Sequence, residues 1–464
     1  MLRLFNTMSR RNEEFIPLNP PNVGLYTCGP TVYSYIHIGN LRTFLFEDVL
    51  RRYLKFKGFK VTQVMNITDI DDKTIKGANE AGISLAEFTE RFTNAFFEDI
   101  AAVGIEPAEY YPRATEHIGD MVSLIRRILE NGYAYERDGS IYFDVSKFGP
   151  YGALSGVKPT LCQIRSRIDQ DEYEKQDVRD FALWKAAKPG EPSWDTEFGR
   201  GRPGWHIECS AMSMRYLGET FDIHTGGVDN IFPHHENEIA QSRAATGKPL
   251  ARYWLHSEHL LMDKSKMAKS AGNIYTLREI TAMGYKPRQV RYFLLSAHYR
   301  KQLNFSLDAL SQAAGSLARI DDFVTSLRSA SCSNSDNPAI AQCISECERG
   351  FEGAMDEDLN MSKAMGVFFT FIRSVNELMS RGEISENDRS SINSLLERVN
   401  SVIGVIELGR EVELSQEEKE LIKMRREARR AGDWASADRL REQLKERGII
   451  IEDTKDGIRI KRLH

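Results

Sequence analysis

Residues 30–40 read PTVYSYIHIGN and join a short apolar run, residues 23–28, to an amphipathic segment. In that segment, residues 41–54 repeat leucine, valine and tyrosine at the spacing of one helix face. Residues 60–67 are rich in strand-forming side chains and follow a lysine and a glycine that suit a helix end. The order strand, tight loop, helix, strand predicts a βαβ unit, so we expect a Rossmann-like α/β fold.

The HIGN segment of this stretch could bind phosphate. A helix that begins just after His37 offers unpaired amide N–H groups and the positive end of its dipole, and Gly39 allows close backbone approach. The glycine-rich dinucleotide fingerprint and the Walker loop are both absent from the sequence. An ordinary helix cap is the alternative, because many α/β folds contain such a unit.

A second candidate nucleotide-binding segment is the basic run KMAKS, residues 266–270. Lys266 and Lys269 could offset the charge of a triphosphate as pyrophosphate leaves. Short basic runs are more often solvated surface, which is the alternative. The presence of His-Ile-Gly in the same chain favours a nucleotide site.

HIGN and KMAKS together resemble the HIGH and KMSKS signatures of class I aminoacyl-tRNA synthetases. Further blocks resemble the cysteinyl-tRNA synthetase family: YTCGPTVY before HIG, NITDIDDK at residues 66–73, GRPGWHIECSAM at 201–212, FDIHTGG at 221–227 and FPHHENEIAQ at 232–241. The similarity covers nearly the whole chain. It implies a HIGH-type nucleotidyl transferase domain with an inserted connective domain, followed by an all-helical bundle and a small basic C-terminal domain.

Two positions depart from the family signatures. Asn40 replaces the second histidine of HIGH and retains an amide that can hydrogen-bond, whereas Ala268 replaces the serine of KMSKS and lacks a hydroxyl. The resemblance implies that His37, Lys266 and Lys269 are catalytic. It also implies that ATP is bound by residues of these motifs: His37, Asn40, Gly227, Asp229, Lys266 and Lys269.

Asp229 follows two glycines and has two interpretations. It could accept hydrogen bonds from ribose hydroxyls, as the family block implies, or cap an ordinary turn.

Two thiols, an imidazole and a carboxylate suggest a metal site. Cys28, Cys209 and Glu238 with either His234 or His235 form a donor set that suits zinc. Glu238 lies four residues after His234 and three after His235, so helical spacing alone does not choose between them. The resemblance favours His234 and one Zn²⁺ per chain. The alternative is that both cysteines are merely buried apolar side chains.

The resemblance also implies a substrate pocket lined by Thr68, Trp205, His206, His224 and His235. A tryptophan at the edge of the core is a rival interpretation for Trp205. The acidic segment at residues 66–73 could bind a metal, but we favour a helix N-cap with an acidic first turn.

The patterns divide the chain into four regions. With the roles that the resemblance implies, these are a catalytic domain at residues 1–113 and 191–305, a connective insertion at 114–190, a tRNA-contacting helical bundle at 306–408 and an anticodon-binding region at 409–464. The net charge of the chain is −5, yet residues 421–464 carry 13 Lys and Arg against 8 Asp and Glu. This basic segment suits RNA phosphates and base stacking through Arg425, Arg426, Arg429, Arg430 and Trp434, although a solvated helix face is the alternative.

Composition is that of a large globular enzyme, with 41% hydrophobic and 28% charged residues and six scattered cysteines in 464 residues. No secretory signal or membrane-spanning stretch is recognisable, so we expect a cytoplasmic protein. The scattered cysteines predict reduced thiols. We also expect a monomer. The resemblance implies ATP-dependent activation of L-cysteine to cysteinyl-adenylate, with Mg²⁺ accompanying ATP, and transfer of cysteine to tRNA(Cys). A zinc–thiolate bond would recognise the substrate side chain. The alternatives are a cysteine ligase with a small-molecule amine acceptor and a non-catalytic tRNA-binding paralogue.

Overall fold

The structure is a computed structural model that describes residues 1–157, 179–262, 265–266, 274–408, 415–447, 449–454 and 457–462. The chain forms two compact units. The first comprises Met1–Leu317, Arg349–Val367 and Ser401–Gly404, and the second Ala318–Glu348, Phe368–Asn400 and Val405–His464. None of the helices in the described ranges combines the length and apolar character needed to cross a bilayer.

The strands are β1 (Arg3–Asn6), β2 (Arg11–Glu14), β3 (Asn22–Thr27), β4 (Lys60–Met65), β5 (Ala134–Arg137), β6 (Ser140–Phe143), β7 (Phe181–Ala186), β8 (Trp194–Thr196), β9 (Gly199–Pro203), β10 (Phe221–Gly227), β11 (Ala251–Ser257), β12 (Leu260–Met262), β13 (Ser265–Lys266), β14 (Leu303–Phe305), β15 (Ile449–Thr454) and β16 (Gly457–Arg462). The helices are α1 (Ile38–Phe56), α2 (Asp72–Ala81), α3 (Leu85–Ala102), α4 (Ile118–Glu130), α5 (Trp205–Leu217), α6 (Glu236–Thr246), α7 (Leu277–Ala282), α8 (Pro287–Leu295), α9 (Leu307–Ser329), α10 (Pro338–Asp356), α11 (Met361–Ser380), α12 (Glu386–Ile403), α13 (Gln416–Arg430) and α14 (Trp434–Glu446).

A four-stranded parallel sheet in the order β11-β10-β3-β4 lies at the centre of the first unit. The segment β3-α1-β4 forms the βαβ unit predicted from the sequence, and that prediction is confirmed. Leu41 and Leu45 on α1 are fully buried, as their helical spacing predicts. The connection after β3 leads to β4 at one edge of the sheet, and the connection after β10 leads to β11 at the other edge. A ligand crevice is therefore expected where the carboxyl ends of β3 and β10 lie side by side.

A separate five-stranded antiparallel sheet has the strand order β5-β6-β7-β9-β8. In sequence it lies between β4 and β10, which both belong to the parallel sheet. It extends to Pro203, so the boundary expected at residue 190 falls between its strands β7 and β8. The carboxylate of Asp72 on α2 pairs with Lys185 at 3.0 Å and with Arg202, which fastens this sheet to the helix that follows the βαβ unit. The limits of the insertion stay a prediction.

The acidic segment at residues 66–73 caps a helix. The Asp71 side chain accepts a hydrogen bond from the Lys73 amide, while the Thr74 hydroxyl closes a capping box with the backbone of Asp71. Asp72 occupies the first turn of α2, where a negative charge suits the helix dipole. The cap interpretation of this segment is therefore confirmed.

The second unit is mainly helical, as predicted after residue 305. Within it, Phe323 of α9 packs edge-on against Phe371 of α11, with ring centroids 6.1 Å apart. A small cluster in the C-terminal part buries Ile422, Leu444, Ile449 and Ile451. Arg425 belongs to the inner face of α13 and is only 2% exposed, so its prediction as a surface phosphate contact is wrong.

Arg291 on α8 is a buried cation that ties several segments of the first unit together. It is 1% exposed and donates to the Asp48 carboxylate on α1 at 2.5 Å. It also donates to the carbonyl oxygens of Ile403, Val103 and Gly104 at 2.8, 3.1 and 3.0 Å. Every contact satisfies a donor that burial has removed from water, which is the condition for a stable buried charge.

Arg291→Leu should destabilise the protein by about 3–5 kcal/mol, because the substitution leaves Asp48 buried without this partner. Denaturant unfolding followed by circular dichroism measures the change. The matched control is Arg126→Leu, which removes an arginine whose pairing with Glu197 lies at the surface, with side chains 50% and 41% exposed. Equal stability of the two variants would contradict the interpretation of Arg291.

Candidate active site and metal centre

A cleft of about 310 Å³ opens where β3, β10 and β11 end, at the predicted crevice of the parallel sheet. Six residues predicted for the site line this central cleft: Cys28, His37, Asn40, Trp205, Gly227 and Asp229. Cys28 follows β3, His37 precedes α1, and Asp229 follows β10. The loop between β3 and α1, which carries both Cys28 and His37, therefore meets the distant segment after β10 around one opening.

His37 and Asn40 form a reciprocal cap at the start of α1. The Asn40 amide donates to His37 Nδ1 at 3.2 Å, and the His37 amide donates to Asn40 Oδ1 at 3.3 Å. Because Nδ1 accepts, the ring proton of a neutral His37 lies on Nε2, the nitrogen that could donate to a phosphate. The cap interpretation of HIGN is therefore confirmed and gives Asn40 a structural role, whereas phosphate binding at this helix start stays a prediction.

A cluster of metal-binding donors lies beside Cys28. One donor atom from each of Cys28, His234, His235 and Glu238 lies within 4.8 Å of the other three. His234 Nε2 is 2.8 Å from Glu238 Oε1, as expected for residues four apart on a helix. Cys209 joins them from α5, since its thiol hydrogen-bonds with Cys28 and His234. A soft and borderline donor set of this kind fits zinc.

Electrostatics at this cluster show where protons are held. Burial raises the pKa of the Cys28 thiol well above its usual range, and the hydrogen bond from Cys28 lowers the pKa of Cys209 to about 6. Burial opposes the charged form of His234, but Glu238 and Cys209 outweigh it and raise the pKa to about 10. Binding of a metal here would therefore release protons from Cys28 and His234.

Glu238 is anionic within this cluster. Burial favours its neutral form, but His224 and His234 outweigh burial and hold the pKa of Glu238 well below its usual range. The carboxylate is within 2.7 Å of His224 Nε2, and both side chains are fully buried. A fixed negative charge in this position suits a divalent cation.

Further histidines surround the donor cluster. His206 Nδ1 is 2.9 Å from His234 Nδ1, and His235 Nδ1 is 2.8 Å from His256 Nε2. Trp205 stacks on His234 with ring centroids 4.4 Å apart. These contacts fix the imidazole planes, which is how groups behind a metal ligand orient it. His256 was missed from the sequence because a histidine inside strand β11 carries no motif signal.

Thr68 lies away from the lining of the central cleft. It is 1% exposed, donates to Glu208 Oε2 at 2.9 Å and accepts from Asn66 at 3.1 Å. Asn66 in turn accepts from the Gly29 amide at 2.9 Å, next to Cys28. Thr68 and the unpredicted Glu208 thus belong to a buried chain of hydrogen bonds that supports the loop carrying Cys28.

The lysine loop lies largely outside the described residues. The backbone of Lys266 pairs with Leu261 in the β12–β13 ladder, but its side chain, Lys269 and Ala268 lie outside the described residues. The assignment of catalytic roles to both lysines stays a prediction.

Comparisons with known proteins extend over the whole chain. Residues 14–315 match the family described as tRNA synthetases class I (C) catalytic domain, residues 350–408 the DALR domain, and residues 411–460 the cysteinyl-tRNA ligase anticodon binding domain. The cysteine–tRNA ligase of Chlamydia pneumoniae is 47% identical over 467 residues, covering 100% of this chain and 98% of that protein. The chain belongs to the cysteine–tRNA ligase family. This finding confirms the resemblance identified from the sequence motifs.

Another cysteine–tRNA ligase, from Solibacter usitatus, is 46% identical over 463 residues and covers 99% of both chains. Among solved structures, Mycobacterium tuberculosis methionyl-tRNA synthetase in complex with methionyl-adenylate has a TM-score of 0.60 at 16% identity, covering 83% of this chain and 90% of that chain. At that identity the likeness shows the fold alone, and it confirms the class I synthetase architecture predicted for this cysteine–tRNA ligase family member.

Cys209→Ser should lower the zinc content of the purified protein well below one ion per chain, because a hydroxyl is a poor substitute for a thiolate ligand. Elemental analysis after dialysis measures the loss. Cys347→Ser is the matched control, since Cys347 is also buried, at 2% exposed, but lies on α10. Equal zinc in the two variants would contradict the assignment of Cys209 to the metal site.

Proposed function

We propose that this chain activates L-cysteine with ATP to form cysteinyl-adenylate and transfers the cysteinyl group to tRNA(Cys). The observation that carries the proposal is the central cleft, which extends from the group of candidate metal ligands at Cys28 to the capped helix start at His37. A substrate that carries both a thiol and a carboxylate suits such a cleft. Family membership over the full length supports the same reaction.

The nucleotide would lie at the His37 end of the cleft. The start of α1 offers amide donors and a positive dipole end to the α-phosphate, and His37 Nε2 can donate to it. Lys266 and Lys269 would contact the departing pyrophosphate, and Mg²⁺ would accompany ATP. Catalysis then consists of aligning the cysteine carboxylate with phosphorus and stabilising the charge that develops there.

The amino acid would lie at the Cys28 end. We assign one Zn²⁺ per chain to Cys28, Cys209, His234 and Glu238, where it would supply a soft bonding partner for the thiolate of the substrate. Trp205 lines the cleft beside this cluster, and His206, His224 and Thr68 support it from behind. His235 Nε2 lies 3.3 Å from the Cys28 thiol, so His235 belongs to the donor cluster itself and would lie beside the ion. These residues hold the donors in fixed orientations, so the substrate meets a rigid site.

Cysteine-dependent ATP–pyrophosphate exchange should be at least about a thousandfold faster than serine-dependent exchange, because a zinc–thiolate bond would add to the discrimination of an apolar pocket. Such a pocket alone separates near-isosteres by only about 1–3 kcal/mol, which is at most about 200-fold. Removal of zinc with a chelator should abolish the cysteine reaction, and re-addition of zinc should restore it. The assay compares both amino acids with the full-length protein at saturating ATP.

Comparable exchange with serine in the zinc-loaded protein would overturn recognition of the substrate through its sulfur. Absence of exchange with every amino acid, in zinc-loaded folded protein, would favour the non-catalytic tRNA-binding alternative. Rapid exchange without transfer of labelled cysteine to tRNA would favour a small-molecule amine acceptor.

The tRNA anticodon would bind the C-terminal region. Trp434 at the start of α14 is 61% exposed, and the Arg429 guanidinium lies 5.4 Å from the centre of its ring. An exposed aromatic ring beside cations can stack on an unpaired base while the cations contact phosphate. Arg426 and Arg430 are exposed on the preceding helix and extend this basic surface. The match to an anticodon binding domain supports this assignment.

Trp434→Ala should lower kcat/KM for tRNA about tenfold or more, since stacking on a base contributes about 1–3 kcal/mol. Cysteine-dependent exchange should be unchanged, because it does not need tRNA. Met424→Ala is the matched control, as Met424 is another large exposed side chain of the C-terminal region, 47% exposed, on α13. A fall in exchange equal to the fall in charging would contradict this division of labour.

A further inference from the structure

His259 is a cleft residue that no sequence motif marks. It follows β11, lines the central cleft with His37 and Asp229, and keeps 26% of its side chain exposed. His259 Nδ1 lies 3.5 Å from Asp229 Oδ2, and the Asp229 side chain is 54% exposed. An imidazole and a carboxylate that reach the cleft from two different loops thus face each other at the nucleotide end.

The backbone of His259 is held from two sides. Its carbonyl oxygen accepts a hydrogen bond from Arg42 at 2.6 Å, and its amide donates to Glu258 Oε1 at 3.0 Å. Arg42 is only 3% exposed and also donates to the carbonyl oxygens of His298, at 3.4 Å, and Lys301. A cation fixed by three carbonyls is a rigid anchor, so the imidazole projects from a fixed backbone.

Arg42 and the proposed phosphate-binding site at the start of α1 belong to the same helix. Arg42 lies two residues after Asn40 on α1, and the neighbouring Thr43 hydroxyl is 2.7 Å from that of Ser257. The loop that carries His259 is therefore attached to the helix whose first turn begins at His37. Any nucleotide seated on that turn would have His259 at a set position.

We propose that His259 is a positioning residue for the ribose of ATP, acting through the contact of its Nδ1 with the Asp229 carboxylate, which orients that carboxylate toward the ribose hydroxyls. This inference rests on the proposed ATP site and deepens it. An exposed aspartate alone would have to give up side-chain freedom on binding, and a fixed imidazole removes part of that cost. A carboxylate has about four lone-pair sites, so accepting from His259 leaves it able to accept from a hydroxyl.

The test measures binding of ATP, 2′-deoxyATP and 3′-deoxyATP by calorimetry to zinc-loaded full-length protein and to His259→Leu and His259→Asn. Leucine removes the donor, whereas the amide of asparagine can replace Nδ1. For His259→Leu we expect ATP binding about tenfold weaker than in the unaltered protein. One of the two deoxy analogues lacks the hydroxyl that Asp229 contacts, and we expect the variant to bind that analogue almost as well as it binds ATP. For His259→Asn we expect affinity and hydroxyl discrimination near those of the unaltered protein.

Equal weakening of ATP and both deoxy analogues in His259→Leu would overturn the inference, because a purely structural defect does not depend on a hydroxyl. Equal behaviour of the asparagine and leucine variants would overturn it as well, and so would failure of the unaltered protein to bind ATP. Unaltered protein that discriminates these nucleotides but supports no cysteine-dependent exchange would count against the proposed reaction and leave the role of His259 standing.

Discussion

The parallel pairing of β3 with β10 is the constraint on which the site depends. Leu25 pairs with Ile223 and Thr27 with Thr225, and the ladder continues past β3 as the Cys28 amide donates to the Thr225 carbonyl at 3.3 Å. Two segments almost two hundred residues apart in sequence thereby end at the same edge of one sheet. The chain leaves β3 toward one edge of the sheet and leaves β10 toward the other, so a crevice opens between the two strand ends. The end of β3 contributes the Cys28 thiol to this crevice, and the end of β10 contributes the turn at Gly227.

The metal end of that crevice places ionisable groups where water is largely excluded. Cys209, His224, His234, His235 and Glu238 are all buried, and each isolated charge would be costly in such surroundings. Mutual hydrogen bonds offset the cost, since His224 and His234 both contact the Glu238 carboxylate at 2.8 Å or less. Because pairing buried charges only repays the cost of burying them, the cluster is weak evidence for stability, and its donor set is better accounted for by the proposed metal site.

Local signals in the sequence predicted much of this. The βαβ unit and the cap at Asp71 follow from periodicity and local spacing, which the structure retains. Spacing left both His234 and His235 as partners of Glu238, and the structure places both histidines in the donor cluster. What could not be predicted depends on tertiary contacts: the histidine behind the cluster, His256, lies in a strand that looks like ordinary core. Arg425 shows the opposite failure, because a basic run does not reveal which arginine faces inward.

Helix α1 links the chemical end of the cleft to the rest of the first unit. Its cap is built from His37 and Asn40, and one turn later Arg42 anchors the loop after β11. Glu47 accepts from the Thr225 hydroxyl at 2.8 Å, and burial raises the pKa of this carboxyl to about 8, so it bonds to the sheet with little charge at neutral pH. Asp48 then meets Arg291. A shift of α1 would disturb its three contacts with the loop after β11, the sheet and Arg291 together, so these contacts fix the position of the capped end at His37.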